Sequence, residues 1–125
     1  MEQSASKIEI QIIVQGKGES NAEIFRHFAP MTINSIINKM PIYGRVSRLN
    51  ENTINILAQL SSGAEKIRTK FSKGQIAVLP LNGSISIFLN DVASTPRMSL
   101  IGNITSNLDI LKKIGPGDTI SIKKI

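Results

Sequence analysis

The chain has 125 residues, enough for one ordinary domain with a useful core, and its 41% hydrophobic and 19% charged content suit a soluble globular protein. It contains no cysteine, which excludes disulfides, thiolate nucleophiles and cysteine metal sites and fits a reducing cytoplasm. The net charge of +6 permits an acidic or nucleic-acid partner without establishing one, and no apolar run approaches the roughly 18 residues of a membrane span.

Residues 1–6 read as a short leader without the apolar segment of a signal peptide, and 7–125 as a single domain. Twenty-two isoleucines against five aromatic rings lean the composition toward sheet, because isoleucine is stiff at its first torsion and favours pleated surfaces. Residues 7–15, KIEIQIIVQ, alternate with Ile8, Ile10, Ile12 and Val14 on one face, the pattern of a half-buried strand. Gly16-Lys17-Gly18 is a turn, and ESNAEIF is its hairpin partner, with Ala22 and Ile24 inward.

The period then changes. Ile33, Ile36, Ile37 and Met40 form one stripe of a short helix over 30–40, opened by Pro30 and ended by Pro41. Two strands follow, IYGRVSRL and TINILA, joined by a turn at Asn50-Glu51-Asn52. Residues 59–74 are irregular, with a loop at Ser61-Ser62-Gly63. Strands resume at QIAVLPL and SISIFLN, separated by the hairpin signal Asn82-Gly83; the polar loop DVASTPR leads to the strand MSLIGNI. Ser106 and Asp109 have the spacing of a helix start, Leu108 and Leu111 supply an apolar stripe, and Gly115-Pro116-Gly117 stops the helix before a final strand, DTISIKKI. Many short strands with two small helices predict a mainly β fold, a closed barrel of about eight strands.

The order and spacing resemble the cyclophilin barrel. His27-Phe28-Ala29-Pro30-Met31-Thr32 is similar to the family's approach to its first helix, and SLIGNITSNLDILKKIGPGDTISIKKI to its ending. The likeness extends from Lys7 onward, and is greatest to small prokaryotic cyclophilin-like proteins of unestablished role. It implies an external groove for a proline-containing peptide or small ligand, no cofactor or metal, and an arginine that hydrogen-bonds a twisting X–Pro amide. Such an arginine lowers the barrier to an exchange that otherwise takes tens to hundreds of seconds. The corresponding position falls in YGRVSRLN: Arg48 is the first candidate and Arg45 the second. Tyr43, Ile87, Phe88 and Arg97 are the expected ligand-binding residues. The family's tryptophan is absent, its aromatic loop is replaced by Asn50-Glu51-Asn52-Thr53, and the lone His27 lies elsewhere. The expected function is accordingly a binding module with a largely degenerate isomerase site, a weak isomerase being the alternative.

Plainer roles compete at each position. Arg48 could end the core by pairing with Glu51 or Asp91, and Phe88 could be ordinary packing. Lys66, Arg68, Lys70 and Lys73 alternate with Ile67, Thr69 and Phe71, as on a solvated face; a nucleic-acid site there would want more interleaved rings. No G-x-S-x-G elbow or paired carboxylates point to hydrolysis.

Overall fold

The computed structural model describes residues 6–60 and 65–125, so most of the expected leader and the Ser61-Ser62-Gly63 loop lie outside the described residues. The elements are β1 (Lys7–Val14), β2 (Gly18–Phe25), α1 (Pro30–Lys39), β3 (Ile42–Asn50), β4 (Thr53–Ile56), β5 (Ile67–Arg68), β6 (Gln75–Leu79), β7 (Ser84–Phe88), β8 (Met98–Ser106), α2 (Leu108–Lys112) and β9 (Thr119–Lys124). Eight strands pair in the order β2-β1-β9-β3-β4-β7-β6-β8, and the β2–β8 pairing closes the ring. Every pairing is antiparallel, and β5 hangs on β8 as a ninth, short strand. Closure at β2–β8 needs Gly102, opposite Ile24: a methyl group there would collide with the Glu23 carbonyl.

The isoleucines do what their stiffness suggests. Alternation turns Ile10, Ile12, Ile24, Ile54, Ile76 and Ile87 into the barrel, where they form one buried cluster with Ile33 and Ile36 of α1 and Leu111 of α2. The interior is packed: nine isoleucines surround a void of about 10 Å³, room for one water at most. The helices cover opposite mouths. α1 follows the end of β2, whereas Ile110 of α2 touches Gly18 at its beginning.

The two halves of the barrel wall differ. β1, β2 and β9 alternate buried and more exposed residues, with one face to solvent. β4 and β7 are buried on both faces. On the outside of β6, β7 and β8 lies a second apolar cluster of Phe71, Ala77, Phe88, Met98 and Leu100, with Phe28, Leu79 and Val92 at its margin. The segments around Phe71 and Val92 cover it, tied together by reciprocal backbone bonds of 3.0 and 2.9 Å.

The start of α2 differs from expectation. Ser106 is not its cap but the last residue of β8, paired with Asn21. Asn107 precedes the helix in the left-handed conformation (φ 62°), with no side-chain cap; its amide donates to Glu19 O at 2.8 Å. Barrel closure claims the strand end before the local capping pattern can form. Between the helices stand six strands, since the irregular 59–74 stretch contains the short β5.

Candidate ligand groove

The strand that carries YGRVSRLN separates its two arginines. Ile42, Gly44 and Val46 are buried and Arg48 follows them on the inward face, partly buried; Tyr43, Arg45 and Ser47 are exposed on the outward face. Arg48 donates to backbone carbonyls. Its Nη1 donates to Ile114 O at 2.9 Å and Lys112 O at 3.4 Å, and its Nη2 to Glu51 O at 2.9 Å. The guanidinium therefore closes one mouth by satisfying carbonyls at and just beyond the C-terminal end of α2, where a cation is favoured.

The other mouth is closed by an anion. Glu65 accepts from the Met31 and Thr32 backbone N–H groups at 3.0 and 2.9 Å and from the Thr32 hydroxyl at 2.8 Å, capping the start of α1, whose own N-cap Ala29 has no side-chain donor or acceptor. Burial raises the Glu65 pKa, but these hydrogen bonds outweigh it and hold the carboxyl below its ordinary value. The Glu65 N–H donates in turn to Ser99 Oγ at 3.1 Å, fastening the connection to β8.

The expected ligand residues are dispersed. Ile87 faces the barrel interior and is fully buried, so it lies away from any groove on the outside. Phe88 faces outward but is also fully buried: the Phe71 ring stacks on it in parallel, centroids 4.5 Å apart. The chain thus covers this outer aromatic with a ring of its own. Tyr43, 71% exposed, stands on the outer face of β3 beside Ser121. His27 is exposed among rings, 4.7 Å from Phe28 and 5.8 Å from Phe25. No group of three or more histidine, aspartate or glutamate residues suited to a metal comes together among the described residues, and no described helix is long and apolar enough to cross a membrane.

Arg97, also among the expected residues, borders an open concavity. It lines a groove of about 390 Å³ with Ile67, Leu79, Pro80 and Leu81, at the rim of the outer apolar cluster. A smaller cleft of about 180 Å³ lies beside Phe71, between Lys70-Ser72 and Asp91-Ala93. The aliphatic groove residues escape the strand pattern because Leu79-Pro80-Leu81 looks like a strand end. The available signal is Leu81 itself, an apolar residue set against the Asn82-Gly83 turn and 89% exposed. The turn is tight: a methyl on Gly83, at φ +70°, would strike the Leu60 backbone.

The architecture is shared with solved structures. A hypothetical protein from Archaeoglobus fulgidus superposes with a TM-score of 0.79 at 19% identity, covering 96% of each chain. The Mimivirus cyclophilin gives 0.65 at 16% identity, covering 95% of this chain and 88% of its own. A cyclophilin-type peptidyl-prolyl cis-trans isomerase of Cryptosporidium parvum, also determined in the presence of the dipeptide Ala-Pro, gives 0.69 at 12% identity over 95% and 98%. No family model and no curated protein matches the chain. The chain is a cyclophilin-like barrel.

Proposed function

We propose that the protein is a binding module that takes a short apolar peptide segment or a small apolar ligand in the groove of Ile67, Leu79, Pro80, Leu81 and Arg97. The observation that carries this reading is the groove's chemistry. An aliphatic floor within the usual size range of ligand sites lies open beside one guanidinium, and Leu81 is left almost wholly in water. Apolar side chains of a ligand would cover Leu79 and Leu81, while Arg97 donates to a carbonyl or carboxylate at the edge.

Isomerisation is the second reading, through Arg48 or Arg45. Against Arg48 stands its engagement with three backbone carbonyls. Arg45 is exposed on a strand face that it shares with Tyr43 and, across the pairing with β9, Thr119. Amide NMR spectra during titration with Ala-Pro and longer proline peptides test the groove, and a protease-free isomerisation assay on native, Arg45→Ala and Arg48→Ala proteins tests the chemistry. Shifts confined to 67, 79, 81 and 97 without acceleration are expected. Acceleration lost in Arg45→Ala would replace the binding reading with the enzymatic one, and unperturbed spectra would remove the groove from consideration.

A further inference from the structure

We infer that the occupant of this groove is an acidic, apolar peptide segment, one that alternates aliphatic anchors with carboxylates; the inference rests on the groove reading above. Its starting point is the basic stretch Lys66, Arg68, Lys70 and Lys73, which in sequence lies well away from Arg97. Pairing of β5 with β8 brings them together: Arg68 stands opposite Met98, the neighbour of Arg97, and Ile67 stands opposite Ser99. Ile67 thereby enters the groove floor beside Arg97, while its exposed chain neighbours Lys66 and Arg68 stand on the alternate face.

These charges are uncompensated. Among the described residues, none of Lys66, Arg68, Lys70, Lys73 and Arg97 makes an ion pair with a carboxylate. The two nearest acids on the same connections have other partners. Glu65 turns both oxygens to the start of α1, and Asp91 accepts the Lys73 backbone N–H at 2.8 Å. Arg97 at the floor, with uncompensated cations on the adjoining β5 connection, favours a ligand that carries carboxylates beside its apolar positions, and like charge on a ligand would be rejected.

A nucleic acid fits less well, because its bases need rings to stack on. The floor is aliphatic, Phe71 is buried against Phe88, and the Phe28 ring already has the Lys66 ammonium 5.8 Å above its centre. A peptide needs no ring, and a groove of this size accommodates a short stretch of chain.

Fluorescence anisotropy with three synthetic dodecapeptides decides the matter. All carry the same leucine and valine positions, with the intervening positions acidic, neutral amide or basic. The full-length protein should bind the acidic peptide about tenfold more tightly than the neutral one at low salt, and most of that margin should vanish near about 0.5 M salt. Arg97→Glu should bring the acidic peptide down to the neutral level, and Leu81→Asp should weaken both; these positions are exposed, and circular dichroism verifies that the variants fold. Equal binding of all three peptides, lost in Leu81→Asp, would keep the groove and overturn its acid selectivity. Binding of none would overturn both readings. Tighter binding of oligothymidylate than of the acidic peptide, abolished by Arg68→Glu with Arg97→Glu, would overturn the peptide in favour of single-stranded nucleic acid.

Discussion

The two mouths of the barrel are closed by opposite charges. At one, the Arg48 guanidinium binds carbonyls around the end of α2; at the other, the Glu65 carboxylate binds N–H groups at the start of α1. Each charge matches the partial charge of the helix end it meets. They differ in reach. Arg48 sits near the end of a barrel strand and joins carbonyls of the β3–β4 turn and around the end of α2, whereas Glu65 clips one loop to the first turn of α1. An arginine that the family resemblance makes a catalytic candidate here donates to backbone carbonyls around the end of α2 and in the β3–β4 turn, and the lesson is that a residue's position in a motif does not fix what its donors are used for.

Removing the caps should separate the mouths. Arg48→Ala is expected to cost about 2 kcal/mol, the scale of a charged hydrogen bond, because the part-buried Ile114 O loses its donor while Glu51 O and Lys112 O regain water, and the urea midpoint measures it. Arg48→Lys should recover only part, since a point charge cannot fork between Ile114 O and Glu51 O. Glu65→Ala should cost about 1 kcal/mol, as for loss of a helix cap, with hydrogen exchange accelerating first at Met31 and Thr32.

Acid sharpens the same contrast. The Glu65 carboxyl has a folded-state pKa below its unfolded value, so its stabilisation is fully present above the unfolded value of about 4.3 and is lost as pH falls through the lower folded value. Thermal melting of the native protein should therefore decline more steeply below about pH 4.3 than that of Glu65→Gln. The smallest effect belongs to the other arginine of YGRVSRLN. Arg45→Ala, on the solvent face, should change stability by no more than about 0.5 kcal/mol. A larger loss there would show that the outer face of β3 is part of the structural frame.

Much of the fold was legible in the residues. Alternation over 7–15 and the 33-36-37-40 stripe placed β1 and α1, because each element buries one face and its period writes that face into the chain. The outer cluster was not, although AVL in β6 and IF in β7 carry apolar residues to both faces. What covers that second face is Phe71 and Val92, which come from the connections before β6 and after β7 and not from the strands they cover. Of the groove, Arg97 was within reach as a polar residue near the end of a loop. Ile67, Leu79, Pro80 and Leu81 were not, because nothing local says that β5 will dock beside the β6–β7 turn.

By itself, then, the sequence determined the strand faces, the helix at Pro30, the mainly β class and the separation of Arg45 from Arg48, all consequences of side-chain period and local backbone preference. Tertiary structure alone decided where the charged groups are used. Arg48 meets carbonyls up to 66 residues away, Glu65 meets a helix more than 30 residues before it, and Arg68 comes opposite Met98, next to Arg97, across the β5–β8 pairing. Hydrogen bonds and charge complementarity act over a few ångströms, and only closure of the barrel brings these partners within that distance.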